Sequence, residues 1–472
     1  MNLARSSRAQ VLALLALCAA LLLPGLGRLP ITRQQELRVL LGGRHMAHGE
    51  SWLVPQFKGE PRLRKPPLMY WVVASAFRAA GSVHSLCAAR LPSAAAGTFL
   101  VLLTYLGGGL LMGRRRAFLG AYAAAVSLLF VRHARLAETD MVLSLFTAAA
   151  TLAGYRALCS QAHRTRWWAV SGVFAGLGFL TKGPAAPGLS LLALVAFGLI
   201  SKERRRALRS PSALMYFPAM LALALPWYLA VIRTPGMSEA VAGELTRTFV
   251  EGGHEGPFAY YLWQVPWLML PFGPLVPFGL WLAWKRRRHH RAMQFLLAWM
   301  LTSLLALSLI SSKQEHYAVL LLPPAALLAG LLLDRPFTRY PARRRRTAAA
   351  YAAVAVLMAA GTSVCVLSGK CGGRAEALVP RFVEAARPQL ATAPRVVLTG
   401  PRAPLVEFYL PRDAEYAPNP AAAWDTAHPG DAVMVANHER GVDEEDGIPA
   451  EPLLDVRQDD MRCTLYLKPP GG

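Results

Sequence analysis

Between Ile31 and Trp71 the chain gathers Glu36, Arg38, Arg44, Lys58, Arg62, Arg64 and Lys65 beside Trp52, Pro55, Pro66, Pro67, Tyr70 and Trp71. A carboxylate among so many cations suits a phosphate-bearing ligand, because each charge-assisted hydrogen bond contributes about 1.5–3 kcal/mol. Glu36 is the only carboxylate before Glu50. A base that takes a proton from an acceptor must be held near the reacting centre, and a solvated loop glutamate would have the same local sequence. Glu50 and Glu60 stand next to glycines and read as solvent-facing. In Arg62-Leu-Arg-Lys65-Pro-Pro the prolines stiffen the chain after the cations, so these are aimed with little further loss of entropy. Snorkelling to anionic headgroups is the competing reading.

Four further groups could join this chemistry. Asp140 closes Arg132-His-Ala-Arg135-Leu-Ala-Glu-Thr-Asp140 at the edge of an apolar run. A carboxylate there is costly unless paired or functional, and Arg135 is the nearest partner in sequence. Lys182 precedes a Gly-Pro break, where capping of a helix C-terminus is the plain alternative. Glu244, Arg247, Glu251 and His254 precede Gly-Pro-Phe-Ala-Tyr-Tyr261, whose tyrosines read as interfacial-belt residues. Lys313, Glu315, His316 and Tyr317 sit between two apolar runs. No His pair or comparable spacing around His254 supports a metal, so the expected cofactor is none, with a divalent ion only weakly supported.

The elements that must position these residues are membrane helices. Of 472 residues 54% are apolar, and several windows approach the roughly 20 uncharged residues that a bilayer requires. The net charge of +23 lies in short clusters between apolar windows, which excludes a nucleic-acid binder and fits basic connections on one side of a membrane. Arg5 and Arg8 precede a run that resembles a signal peptide, but no small-x-small cleavage site follows, so it reads as a retained first helix. With windows at 91–112, 117–131, 141–158, 167–181, 185–201, 212–232, 262–284, 292–310, 316–333 and 347–368, about 11 spans are expected. The stretch 67–80, with Arg78 and only about 14 residues, reads as an interfacial helix.

That choice satisfies the positive-inside rule. Arg114–Arg116, Arg156 with Arg164 and Arg166, Lys202–Arg209, Lys285–Arg291 and Arg335–Arg346 then fall on alternate connections, with Arg5 and Arg8. The candidate residues all fall on the other, outer connections. The first of these breaks the rule, with ten Lys/Arg against three carboxylates over 28–90, as expected where an anion binds.

Residues 369–472 are charged and proline-rich. Arg395–Gly400, Leu405–Leu410, Asp431–Asn437 and Cys463–Lys468 read as strands after a helix near 374–387. The expected architecture is therefore a polytopic α-helical membrane domain, 1–368, with the first loop at 28–90, followed by a small extracytoplasmic α/β domain, 369–472. The small domain serves support or acceptor recognition. Six cysteines include no C-x-x-C pair. Cys371 and Cys463 could pair if that segment faces an oxidising compartment; unpaired thiols are the plainer reading.

In order along 10–335, these pieces resemble the GT-C superfamily of membrane glycosyltransferases, specifically its aminoarabinose (lipid A) transferase and protein O-mannosyltransferase group. The matching runs are Gln35-Glu36, Gly49-Glu-Ser-Trp-Leu-Val-Pro55, Lys65-Pro-Pro-Leu-Met-Tyr-Trp71, Ala89-Arg-Leu-Pro-Ser93 and Ala134-Arg-Leu-Ala-Glu-Thr-Asp140. Leu180-Thr-Lys-Gly-Pro184, Pro226-Trp-Tyr228, His254-Glu-Gly-Pro-Phe-Ala-Tyr-Tyr261 and Ser312-Lys-Gln-Glu-His-Tyr317 continue the series.

The resemblance implies an inverting transfer of a sugar from a polyprenyl-phosphate carrier to a glycolipid, protein or cell-envelope acceptor, on the outer face of the cytoplasmic membrane. On that reading Glu36 is the acceptor's base and Asp140 assists. Arg62, Lys65, Lys182 and Lys313 neutralise the carrier phosphate. Arg38, Tyr70, Arg135, Arg247, His254, His316 and Tyr317 complete the binding residues. Two departures stand out: Gln35 occupies the family's first acidic position, and Arg64 precedes Lys-Pro-Pro where aminoarabinose transferases carry Glu. A transporter of lipid-linked sugars and a catalytically inactive homologue are the alternatives.

Overall fold

The computed structural model describes residues 2–49, 51–235, 237, 256–368, 377–438, 448–458 and 461–469. The apolar windows fold as α1 (Asn2–Leu22), α2 (Gln34–His48), α3 (Leu68–Ala80), α4 (Leu86–Met112), α5 (Arg114–Ala125), α6 (Leu128–Ala134), α7 (Thr139–Cys159), α8 (Arg164–Lys182), α9 (Ala185–Leu199), α10 (Lys202–Leu208) and α11 (Tyr216–Arg233). Beyond 255 come α12 (Tyr260–Leu268), α13 (Leu275–Arg286), α14 (Arg291–Leu309), a 3-10 segment Glu315–Leu321, α15 (Leu322–Leu333), α16 (Arg335–Arg339) and α17 (Arg344–Leu367).

Among the described residues, six helical stretches are long and apolar enough to cross a bilayer, and α5 with α6, bent by 61°, makes a seventh. The bend falls where Ser127 stops one helix and starts the next, its hydroxyl accepting from the Phe130 N–H. The other expected spans are helical but do not meet that standard. The apolar part of α1, Ser7–Leu22, and α9 are short, and α8 opens on Arg-Thr-Arg and closes on Lys182. The window 262–284 is two helices rather than one, because Pro266, Pro271 and Pro274 remove backbone donors around the break. α3 has 13 residues, about 20 Å at helical rise, against a hydrocarbon core of about 30 Å.

The chain divides into two compact units, one of Met1–Leu26, Leu63–Val72 and Arg90–Ser363, the other of Gly27–Arg62, Val73–Ala89 and Val364–Gly472. In the first, α7 packs on α8 and α9, α8 on α11, α9 on α14, and α15 on both α5 and α13. Glycines permit the closest approach. A Cβ at Gly330 of α15 would stand 2.6 Å from the Arg116 carbonyl oxygen, and one at Gly120 of α5 would stand 3.0 Å from that of Ala326. At the end of this helix pair Asp334, 4% exposed at its side chain, receives Arg115 Nε at 2.5 Å and Arg116 Nε at 3.1 Å.

The second unit holds a five-stranded sheet. Its strands are β3 (Val396–Thr399), β4 (Glu415–Tyr416), β5 (Ala432–His438), β6 (Leu454–Gln458) and β7 (Met461–Leu467), in the order β4-β3-β5-β7-β6. A separate small hairpin pairs β1 (Gln56–Phe57) with β2 (Glu60–Pro61). The expected helix near 374–387 is present as α18 (Leu378–Ala385), followed by α19 (Arg387–Thr392).

One expected strand is wrong. Leu405–Leu410 lies in α20 (Ala403–Tyr409). β3 and β4 are parallel, and a parallel pair needs a crossover, which this helix supplies. α21 (Pro420–Thr426) does the same between β4 and β5, so the sheet packs helices that a short apolar run alone cannot distinguish from strand. Cys463 is a free, buried thiol pushed up to about 12 by burial, so it does not form the considered pair with Cys371, which lies outside the described residues. Cys365, in the last turn of α17, is disulfide-bonded.

Candidate active site

α7 and α8 form an antiparallel helical hairpin of 21 and 19 residues, which brings the first turn of one beside the last turn of the other. Each end suits its charge. Asp140 sits at the positive N-terminus of α7, and Lys182 at the negative C-terminus of α8, which stops at Gly183 with φ +63°. Lys182 Nζ donates to Asp140 Oδ1 at 2.6 Å, with Asp140 1% exposed. The ammonium also lies 4.5 Å from the centre of the Tyr317 ring. His316 Nε2 is 4.0 Å from the same Oδ1, and Lys65 lies within electrostatic reach of the carboxylate. Asp140 Oδ2 is buried and has no hydrogen-bond partner among the described residues.

The segment carrying His316 is held from both sides. Tyr261 Oη donates to the Gln314 carbonyl at 3.0 Å and accepts from its N–H at 3.2 Å. Tyr261 is fully buried, so it is an internal brace and not the interfacial-belt residue expected from its sequence. Ser144 of α7 donates to the Val319 carbonyl at 2.9 Å. Lys313 Nζ donates to the Ser308 carbonyl at 2.5 Å and to that of Ile310, closing the end of α14.

Arg135 does not pair with Asp140. Its guanidinium donates to the Leu21 and Leu22 carbonyls, both at 2.9 Å, and to that of Pro24 at 2.7 Å. Arg90 joins it on the Leu26 carbonyl at 3.0 Å, so two arginines satisfy the otherwise open end of α1. Asp140 is thereby left to Lys182.

A buried pair escapes the sequence reading. His133 Nδ1 lies 3.3 Å from Glu138 Oε2, both side chains 1% exposed, and the His133 ring centre is 6.4 Å from that of His316. Glu138 is the N-cap residue of α7, and its carbonyl accepts from Ser93 Oγ at 3.3 Å. The one signal available was a His and a Glu five apart across a helix break, which matches no recognised spacing.

Such a group offers a phosphate an ammonium and an imidazole, and offers a proton a buried carboxylate oxygen. Three comparisons bear on it. Residues 64–229 match the family described as dolichyl-phosphate-mannose-protein mannosyltransferase. The undecaprenyl phosphate-alpha-4-amino-4-deoxy-L-arabinose arabinosyl transferase of Aeromonas salmonicida is 29% identical over 294 residues, 61% of this chain and 53% of its own. The match thus spans about half the length of that curated relative. The crystal structure of ArnT from Cupriavidus metallidurans bound to undecaprenyl phosphate superposes with a TM-score of 0.79 at 18% identity, over 96% of this chain and 97% of that one. The chain shares the fold of that protein. The oligosaccharyltransferase of Archaeoglobus fulgidus shares it more distantly, at a TM-score of 0.59 and 13% identity, over 91% of this chain and 68% of that one. With six or seven helical stretches long and apolar enough to cross a bilayer among the described residues, the chain is a multi-pass membrane protein.

The expected site residues fall in both units. The first unit carries Lys65, Tyr70, Arg135, Asp140, Lys182, Lys313, His316 and Tyr317, and of these Asp140, Lys182, His316 and Tyr317 are in mutual reach. The second carries Glu36, Arg38 and Arg62. Glu36 is fully buried in the first turn of α2. Arg38 and Arg62 stand 5.8 and 5.6 Å from the centre of the Phe57 ring. Below them α2 is tied to the sheet domain: Arg44 Nη1 donates to the Glu407 carbonyl at 2.5 Å, His45 Nε2 lies 3.1 Å from Glu407 Oε1, and Tyr416 donates to Oε2. Arg247 and His254 lie outside the described residues. Among the described residues, no three His, Cys, Asp or Glu gather as a metal would require.

Proposed function

We propose that this chain is an inverting glycosyltransferase that moves a sugar from a polyprenyl-phosphate carrier to a glycolipid, protein or cell-envelope acceptor. The observation that carries the proposal is the buried Asp140–Lys182–His316 group at one end of a GT-C bundle. ArnT, which superposes over nearly the whole chain, is a relative solved with undecaprenyl phosphate, and the cations here suit the same headgroup.

In the reaction the acceptor oxygen attacks the anomeric carbon as the bond from that carbon to the phosphate oxygen breaks. The electron pair leaves with the phosphate, and the acceptor's proton passes to a carboxylate. Lys65, Lys182 and His316 stabilise the departing charge, assisted by Arg62 and by Lys313 if its ammonium turns from the α14 carbonyls. Glu36 is the base, as the acidic residue nearest the family's first acidic position. A second reading gives that role to Asp140, whose Oδ2 lacks a hydrogen-bond partner among the described residues.

The reaction takes place on the outer face of the cytoplasmic membrane, with 369–472 as a supporting or acceptor-recognising domain on that side. Alternating basic connections support this orientation, as does the disulfide at Cys365, which belongs in an oxidising compartment. The test is sugar transfer from a panel of polyprenyl-phosphate sugars by purified protein in lipid. Wild type should turn over and Glu36→Gln should not. Loss in Asp140→Asn with retention in Glu36→Gln would reassign the base, and no turnover with any donor and acceptor would sink the proposal.

A further inference from the structure

α14 has the candidate site near its C-terminal end; about 28 Å away, at its start, is a second concave site that the transfer reaction does not use. A cavity of about 70 Å³ opens there, with Arg116, Arg286 and His290 around it and Met112, Met293 and Leu331 beneath. Two helices begin at its rim. α5 starts at Arg114 and α14 at Arg291, and Arg116, Ala292 and Met293 of their first turns line the cavity, so the positive ends of two helix dipoles lie beside it.

The cations of this face are not equivalent. Arg115 and Arg116 share Asp334, Arg204 donates to Gln294 at 2.7 Å, and Arg287 donates to the Trp284 carbonyl. Arg286 and His290 have no side-chain hydrogen bond or ion pair among the described residues. Depth is marked as well. Trp281 and Trp284 are each 53% exposed, with Lys285 at 3.9 Å and Arg287 at 3.5 Å from their ring centres. Exposed tryptophans beneath cations belong at the headgroup level of a bilayer.

We propose that this cavity binds the phosphate headgroup of an anionic phospholipid from the leaflet on the side of the basic connections. Arg286 and His290 contact the phosphate, Arg116 adds charge, and the methionines and Leu331 receive the glycerol and upper acyl carbons. Basic loops alone would attract such lipids diffusely. A cavity with buried apolar lining, two helix starts beside it and two basic side chains uncommitted among the described residues makes a defined site, separate from the transfer chemistry.

The test is native mass spectrometry of the purified full-length protein with phosphatidylglycerol or phosphatidylcholine of identical chains. Wild type should retain phosphatidylglycerol preferentially, and Arg286→Gln/His290→Gln should lose about tenfold in that affinity, the loss expected for one charge-assisted contact. Arg288→Gln, an exposed cation of the same connection outside the cavity, should leave the preference intact. An equal loss in Arg288→Gln would show diffuse attraction, and an unchanged preference in the double variant would show binding elsewhere; either overturns the proposal. So would inorganic phosphate competing as well as the lipid, since the occupant would then be a free anion.

Discussion

Asp140 commits one oxygen to Lys182, its other oxygen has no partner among the described residues, and the carboxylate is closed off from bulk water while the ammonium is only partly so. Removing one member of a buried pair strands the other, at a cost of about 3–5 kcal/mol. Lys182→Met should therefore lower thermal stability as well as transfer, whereas Asp140→Asn/Lys182→Met should recover much of the stability and none of the transfer. A thermal unfolding series with parallel turnover assays separates the two effects. Lys65 contributes through its field on the same carboxylate. Lys65→Ala should accordingly raise KM for the carrier-linked sugar about tenfold, the weight of one charge-assisted contact. Unchanged turnover at limiting donor would remove Lys65 from the site.

These residues were legible because their spacing in sequence placed each at a helix end on the same side. What was not legible was who pairs with whom. Arg135 is five residues from Asp140 and Lys182 is forty-two away, yet the helix hairpin makes the distant pair and α1 takes the near arginine. His133 and Glu138 were invisible for a related reason, since only the break between α6 and α7 turns them toward each other.

At the level of elements, hydropathy fixed where helices form and left undecided how they end or bend. The prolines of 262–284 were in view, but whether they kink one span or divide two depends on the neighbours. Leu405–Leu410 shows the same limit in the sheet domain, where the parallel pairing of β3 with β4 decides for helix. Close helix approach can be tested directly. Gly330→Val would press a side chain into the Arg116 carbonyl, so α15 must move from α5, and a drop in melting temperature with reduced expression is expected.

In the sheet domain, Asp431 accepts from the His428 N–H at 2.7 Å and from Arg395 Nη2 at 2.7 Å, which fixes the start of β5 beside that of β3. Burial alone would raise its carboxyl, but the Arg395 hydrogen bonds, the His428 N–H and the Arg395 charge outweigh it and hold it below the ordinary range. A depressed carboxyl contributes stability above its unfolded value of about 3.9 and loses it as pH falls through the folded value. Hydrogen exchange of β3 and β5 should therefore accelerate in that acid window, and Asp431→Asn should remove that part of the pH dependence.

For the whole molecule, basic connections and disulfide chemistry predict one orientation. A cysteine at Arg288 should react with an impermeant maleimide only after the cytoplasm is opened, and one at exposed Arg387 should react in intact cells with the outer membrane permeabilised. The opposite pattern would invert the topology. The fold was recognisable from collinear motifs. The association of residues 27–62 with 364–472 in one unit was not, because it rests on contacts such as His45 with Glu407 that no local pattern announces.

The spans also differ greatly in how much protein surrounds them. In the stretch Glu315–Arg339 89% of the apolar window is enclosed by the fold, whereas in Pro341–Leu367 only 6% is. α17 is thus fastened near its start, where Tyr351 donates to the Leu333 carbonyl and its own carbonyl accepts from Tyr122, and is mostly uncovered by protein beyond. Between Tyr351 and the disulfide-bonded Cys365 its letters are consequently almost free. There an unrelated oily segment of equal length should serve, which makes this stretch a natural splice point for chimeras that exchange one C-terminal domain for another.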